Sequence, residues 1–156
     1  MARDGRMQEV LQQFRVIVHS IKRHYRSVES KSGVGGAQLW ALSVVAERPG
    51  ITVTGLAMRL AIHQSTASNL VNRLCELELL AKVRDGDDQR VVQLRPTAAG
   101  RRMLRTAPRP VIGLLQQALM TMPPSRLEAL QKELSEVIRR MPRRQARAKS
   151  LPLSEL

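Results

Sequence analysis

Two short helices joined by a tight turn restrict the fold of this chain most strongly. The apolar spacing over Val53–Leu60 predicts a helix, and Thr52 is a suitable N-cap for it. Ile62 and His63 then make a turn, after which the helical spacing resumes over Gln64–Leu77. This order predicts a helix-turn-helix whose second helix keeps a polar face outside the core.

A β-hairpin is predicted directly behind these helices. Leu79–Arg84 and Arg90–Leu94 are short β-prone runs, and the loop between them, DGDDQ, is rich in turn formers. Pro96 and Thr97 then introduce another helix, with Thr97 as its expected N-cap. The whole run therefore predicts a winged helix-turn-helix.

Amphipathic helices are predicted on both sides of this run. From Met7 to Val28, apolar residues recur at alternating steps of four and three, which forms a seam along one helix face. A second seam with the same spacing follows the residues MTMPPS. A helix with such a seam needs a partner that covers it. The seam positions are Leu11, Phe14, Val18 and Ile21 in the first helix and Leu127, Leu130, Leu134 and Val137 in the last.

Two further predictions complete the fold class. Ala37–Arg48 reads as a mostly apolar helix that Pro49 and Gly50 end. In the helix after the hairpin, Pro108 and Pro110 predict a kink or two abutting helices. We therefore expect a mainly α protein with about six helices and one β-hairpin.

The charge of the chain favours a polyanionic partner. Its 26 Lys and Arg outnumber 13 Asp and Glu, which gives a net charge of +13; a merely solubilising surface is the alternative. Six basic residues and no acid lie between Arg139 and Lys149. We expect this tail to be disordered, either adding sequence-independent phosphate affinity or having no specific task. Aromatic residues make up only 2%, which disfavours stacking on single strands and favours duplex DNA.

The composition gives little support to other classes of protein. A single cysteine, Cys75, permits no disulfide within the chain and is consistent with the cytoplasm. No apolar run approaches the length of a membrane span. The sequence also contains no Gly-rich phosphate loop, no HExxH motif and no grouping of Ser, His and acid. We therefore predict no enzyme activity, no cofactor and no metal site.

The polar face of the helix that begins at Gln64 is suited to reading base edges. Gln and Asn can bond adenine through two hydrogen bonds, Ser and Thr can reach bases or phosphates, and Arg can bind guanine. Ser, Thr and Asn weaken a helix interior, so their concentration here indicates a function, with an ordinary solvated face as the alternative. The candidate DNA-binding residues of this helix are Gln64, Ser65, Thr66, Ser68, Asn69 and Arg73.

The hairpin offers a second candidate contact with DNA. Arg90 follows Asp88 by two residues, so a β-like segment projects both to one side and the carboxylate can orient the guanidinium. An arginine held in this way suits the minor groove, whose negative potential attracts it. Arg84 on the other strand adds positive charge. The alternative is an exposed ion pair that contributes at most about 1 kcal/mol.

These motifs together resemble the MarR family of winged-helix transcription regulators. The resemblance rests on ITVTGLAMRL, on the helix from Ser65, and on the pattern of Asp88, Arg90, Thr97 and Gly100. It covers residues 37–100, and the flanking helices by layout. The resemblance implies that the second helix of the pair enters the major groove and that the wing arginine enters the minor groove.

The resemblance also implies a homodimer formed through the first and last helices, where the two seams independently lie. Such a dimer favours a pseudo-palindromic site, because two recognition helices then face successive major grooves. Packing of both seams within one monomer is the alternative. The expected parts are an N-terminal dimerisation helix (1–34), a DNA-binding lobe (35–100), C-terminal dimerisation helices (101–141) and a basic tail (142–156).

Three residues carry further expectations from the resemblance. Glu78 stands where the family usually has Gly, so a different local turn is expected. Some members sense oxidants through a thiol, but the position of Cys75 on the back of the recognition helix favours a core or boundary role. Trp40 lies on a helix that borders a ligand pocket in the family, and a core role is favoured for it too.

The residues and the resemblance together predict a homodimer that binds double-stranded DNA at a specific sequence. It is expected to repress transcription and to be released from the DNA by a small molecule. Repression and release are what the resemblance implies, since an activator would carry the same helix and wing. A non-specific architectural DNA-binding protein and a protein-interaction module are the alternatives.

Overall fold

The structure, a computed structural model, describes residues 2–84, 91–142, 149 and 151–153. These residues form seven helices and one antiparallel hairpin, which confirms the predicted mainly α, winged helix-turn-helix class. The elements are α1 (Ala2–Ser32), α2 (Gly36–Glu47), α3 (Val53–Leu60), α4 (Gln64–Glu76), β1 (Leu80–Arg84), β2 (Val92–Pro96), α5 (Ala98–Thr106), α6 (Leu114–Met120) and α7 (Pro124–Arg140). Within this part of the chain, no helix is both long and apolar enough to span a membrane.

Helix α2 lies at the centre of the main core. Ala41, Leu42 and Val45 have no solvent exposure there, and α2 packs against α3, α4, α5 and β2. Burial of a leucine side chain such as that of Leu42 contributes about 1.5–3 kcal/mol. Because the other elements of the helix-turn-helix and the hairpin all pack on this apolar helix, it fixes their relative positions.

The two predicted N-caps of this region are confirmed. The hydroxyl of Thr52 accepts a hydrogen bond from the backbone amide of Gly55 at 3.1 Å, at the start of α3. The hydroxyl of Thr97 accepts one from the amide of Gly100 at 3.0 Å, at the start of α5. Each bond satisfies an amide that the first turn of a helix leaves without a backbone partner.

The hairpin is joined to the helix-turn-helix by backbone hydrogen bonds. Leu94 of β2 is fully buried and makes two of these bonds. The Leu94 carbonyl accepts a hydrogen bond from the amide of Gly50 at 2.8 Å, and the Leu94 amide donates one to the carbonyl of Ile51 at 2.9 Å. Gly50 has φ 95°, a conformation that favours glycine. The loop between α2 and α3 therefore lies along β2 and holds the wing against the two helices.

Strand β1 begins one residue later than predicted, and β2 is shifted further. The structure pairs Leu80 with Pro96 and Arg84 with Val92, so β2 lies two residues later than the predicted Arg90–Leu94. Pro96 has no amide to donate, yet it fits at the end of a two-stranded sheet, where a strand edge faces away from the ladder.

The turn between α4 and β1 contains a backbone conformation that is rare outside glycine. Glu78 has φ 56°, in the left-handed region. Its carbonyl accepts a hydrogen bond from the Thr97 hydroxyl at 2.7 Å. The MarR-like proteins usually have glycine at this position. Glu78 adopts the backbone conformation that glycine favours there, although it is a glutamate.

The two prolines after the hairpin divide the predicted helix into two. Helix α5 ends at Thr106 and α6 begins at Leu114, so a linker of residues 107–113 separates them and the helices do not abut. Proline breaks a helix because it lacks an amide and clashes with the preceding turn. This division gives seven helices where about six were predicted. The linker contacts α1 through a hydrogen bond from His24 Nε2 to the Pro110 carbonyl at 3.1 Å.

Helix α1 is anchored at its C-terminal end and exposed at the other. Val28 is buried with Leu39, Ala107 and Val111 in a second apolar cluster. Residues 4–19 are all exposed, including Phe14 of the predicted seam. The first half of α1 therefore projects its apolar face into solvent.

Helix α7 also leaves its seam largely uncovered. No other element of the described chain packs extensively against it. The structure leaves Leu127, Leu134 and Val137 exposed and Leu130 half-buried. The described contacts therefore do not include extensive packing of one seam on the other.

Candidate nucleic-acid interface

The outward face of α4 is a polar stripe. Ser65, Asn69 and Asn72 recur at helical spacing and are exposed, whereas Leu70 and Leu74 on the other side are buried. We call the Ser65, Asn69 and Asn72 face the polar stripe of α4. A helix that presents short polar side chains on one uncovered face has the geometry required to enter a major groove.

The other predicted residues of α4 lie around this stripe. Gln64 is exposed at the N-terminus of the helix, whereas Thr66 and Ser68 are half-buried at its margins. Arg73 is exposed, but its guanidinium donates to Glu76 Oε2 at 3.0 Å. The structure therefore brings the predicted residues together on one side of α4 and gives Arg73 a carboxylate partner.

A side-chain contact joins the polar stripe to the wing. Lys82 Nζ on β1 donates a hydrogen bond to Asn72 Oδ1 at 2.6 Å. This contact fixes the orientation of the Asn72 amide, which leaves its NH₂ group available as a donor. The sequence prediction did not include Asn72 or Lys82 among the site residues, because their contact depends on how β1 crosses α4.

The wing presents positive charge along one side of β1. Lys82 and Arg84 are exposed two residues apart, so they project from the same face of the strand. Basic residues alternate with Ala81 and Val83 along this strand, and that alternation could have identified Lys82 as a site residue from the sequence. Asp88 and Arg90, the predicted pair at the tip of the wing, lie outside the described residues.

Cys75 lies half-buried against the core on the inner side of α4. Burial raises the pKa of its thiol, and the charge of Lys82 opposes part of that effect. A raised pKa keeps the thiol protonated at neutral pH, and the thiolate is the form that oxidants attack. The position and protonation of Cys75 thus favour a boundary role over oxidant sensing.

A cleft of about 380 Å³ lies beside the linker between α5 and α6. Trp40, the residue singled out for a ligand pocket, does not line it and instead packs half-buried against the main core. The cleft is lined by Ser43 and Glu47 of α2, by Arg109, Pro110, Val111 and Ile112 of the linker, and by Gln117 of α6. It therefore lies where the winged domain meets the helices that follow it.

Comparison with protein families supports the assignment that this geometry indicates. The sequence model of the MarR family matches residues 32–91, from the end of α1 to the start of β2. This segment of the chain is similar to the MarR family. The similarity supports a DNA-binding transcriptional regulator rather than an enzyme.

Solved structures of MarR-like proteins share the fold over most of their length. BldR of Sulfolobus solfataricus, a transcriptional regulator, is 23% identical with a TM-score of 0.56, and the match covers 90% of this chain and 99% of BldR. FabT of Streptococcus pneumoniae, solved with DNA, is 18% identical with a TM-score of 0.57 over 85% and 95% of the two chains. A MepR-like protein solved with pseudoligands is 18% identical with a TM-score of 0.60 over 83% and 92%. No curated protein matches the sequence.

Proposed function

We propose that this chain is a MarR-like homodimeric repressor that recognises a pseudo-palindromic site in double-stranded DNA. The observation that carries the proposal is the polar stripe of α4, which is exposed beside a basic wing. In the proposed complex, Ser65 and Asn69 contact base edges in the major groove, and Arg90, oriented by Asp88, enters the minor groove. The solved complex of FabT with DNA supports this use of the fold.

The two uncovered seams support the homodimer. Phe14 is 37% exposed and Leu134 is 36% exposed, although both belong to continuous apolar faces. Apolar helix faces of this extent are stable in water when a partner covers them. We propose that the seam faces of the helices within residues 1–34 and 101–141 form this interface, that residues 35–100 form the DNA-binding lobe, and that the basic tail from 142 adds phosphate affinity.

Release by a small molecule is the third part of the proposal. The cleft beside the linker contains both a carboxylate, Glu47, and a guanidinium, Arg109, and it borders α2, the centre of the DNA-binding core. A ligand bound there would contact the linker that connects the core to α6, and so could change the separation of two lobes in a dimer. The MepR-like structure with pseudoligands supports an effector. The cytoplasmic location, inferred from the single cysteine, stays a prediction.

Footprinting tests the function directly. The wild-type protein should protect an inverted repeat in the DNA upstream of its own coding sequence, because regulators often control themselves. The Ser65→Ala/Asn69→Ala variant should lose about 1–3 kcal/mol of specific binding for each base contact removed. Gln8→Ala/Gln12→Ala is the matched control, since it removes two exposed polar side chains from α1 and should leave protection unchanged.

The wing has its own test in the same assay. Arg90→Ala should weaken specific binding by about 1–3 kcal/mol if the arginine reads the minor groove. Unchanged binding would remove Arg90 from the interface. Equal affinity for every duplex would favour the architectural protein, and the absence of any duplex binding would favour the protein-interaction module.

A further inference from the structure

The segment that begins near the second strand of the wing contains basic residues but no acidic ones. Residues 89–127 include seven arginines and no Asp, Glu or Lys. This stretch runs from the wing through α5 and α6 to the first turn of α7. The arginines are Arg90, Arg95, Arg101, Arg102, Arg105, Arg109 and Arg126.

Three of these arginines form a ridge on α5. Arg101, Arg102 and Arg105 are all exposed, and at about 100° per residue they lie within one side of the helix. The opposite side packs inward through Gly100, which is buried, and Met103, which is half-buried. We call Arg101, Arg102 and Arg105 the α5 ridge.

The α5 ridge has no acidic partner within the described part of the chain. Among the described residues, no ion pair is found for these arginines, whereas on α4 Arg73 pairs with Glu76, and on α7 Lys132 pairs with Glu128. Arg101 and Arg105 are four residues apart, a spacing at which like charges destabilise a helix. A polyanion laid along the ridge would remove that repulsion and supply the phosphate oxygens that guanidinium groups bind in pairs.

The ridge begins where the wing ends. Helix α5 starts two residues after β2, and the hydroxyl of Thr97 ties this junction to the turn at Glu78. We propose that the α5 ridge binds backbone phosphates of the duplex that flanks the recognised site, beyond the wing. This inference rests on the proposed function, because the flank is defined by the site that α4 and the wing recognise.

Paired duplexes test the proposal. One duplex ends at the borders of the footprint, and the other carries the same site with about one helical turn more at each end, about 10 base pairs. For the wild type, the longer duplex should bind more tightly, with a steeper dependence on salt. The Arg101→Gln/Arg102→Gln/Arg105→Gln variant should lose tenfold or more in affinity on the longer duplex and little on the trimmed one. Its salt slope on the longer duplex should fall by about 1 per lost phosphate contact.

A matched variant separates position from net charge. Arg6→Gln/Arg23→Gln/Lys31→Gln also removes three exposed basic residues from one side of a helix, here the side of α1 away from its seam, and should leave the benefit of the longer duplex intact. An equal loss in both variants, a loss on the trimmed duplex alone, or no loss would overturn the ridge contact. Complexes that hold two duplexes at once would assign the ridge to a second duplex and also overturn it. Wild-type protein that binds the trimmed duplex no better than unrelated DNA would overturn the proposed function itself.

Discussion

Glu78 holds a conformation that suits a smaller residue. A non-glycine residue in the left-handed region costs about 1–2 kcal/mol, and glycine loses about 0.5–1 kcal/mol more chain entropy than alanine on folding. Glu78→Gly should therefore raise the free energy of unfolding by about 0.5–1 kcal/mol, as measured by urea denaturation. The Thr97 hydroxyl bonds the carbonyl of residue 78, so this contact survives the substitution.

Glu76, two residues earlier, provides the control for that substitution. It lies in the last turn of α4 and pairs with Arg73. Glu76→Gly should lower the free energy of unfolding by about 1 kcal/mol, because glycine is unfavourable within a helix. A decrease for both variants would show that the left-handed turn at Glu78 carries no strain that glycine can relieve.

The thiol of Cys75 should be inert to mild oxidants. Because its pKa is raised by burial, the folded protein retains the thiol proton more firmly than the unfolded chain does. The resulting stabilisation is complete below the ordinary thiol pKa and is lost as pH rises through the raised pKa. Peroxide at neutral pH should leave DNA binding unchanged, as measured by fluorescence anisotropy. A loss in the wild type that Cys75→Ser prevents would instead identify a redox sensor.

At the scale of elements, α5 and the turn before β1 approach each other closely. A Cβ added to Gly100 would overlap the carbonyl oxygen of Leu79 and crowd the side chain of Leu42. Gly100→Ala should lower the free energy of unfolding by about 1–3 kcal/mol, because the backbone must move to relieve the overlap. Gly5→Ala is the control, since a Cβ there meets nothing within 4 Å and should not destabilise the protein. Thermal denaturation measures both, and an equal effect would contradict the close approach.

Much of this element order could be predicted because the signals were local. Thr52 and Thr97 cap helices that begin within one residue of them, and the apolar spacing over Val53–Leu60 gave the bounds of α3. The contact between Asn72 and Lys82 could not be predicted, because it joins side chains of two elements whose crossing depends on the packed core.

The linker shows a second limit of local signals. Pro108 and Pro110 indicated an interruption, but a kink and a division leave the same pattern in the sequence. Tertiary contacts accompany the division, since Ala107 and Val111 pack into the second apolar cluster and Pro110 accepts a hydrogen bond from His24 of α1. The cleft beside the linker, and the absence of Trp40 from it, likewise follow from tertiary packing.

At the scale of the whole molecule, the proposed dimer should depend on the α1 seam. Phe14→Asp places a charge on a face that the proposed partner covers, so the protein should become monomeric in sedimentation experiments and lose affinity for the inverted repeat. Met58→Asp is the control for oligomeric state, because Met58 is exposed on α3, away from both seams. A dimer that survives Phe14→Asp would contradict the assigned interface.

The backbone hydrogen bonds of Leu94 would limit how this protein responds to the proposed effector. Since the wing is hydrogen-bonded to the loop between α2 and α3, the wing and α4 should move together as one rigid unit. In a dimer, a ligand would then change the distance between the two units without altering the structure of either one. Binding to a single half-site should thus be indifferent to the ligand, and only the tolerated spacer between half-sites should change.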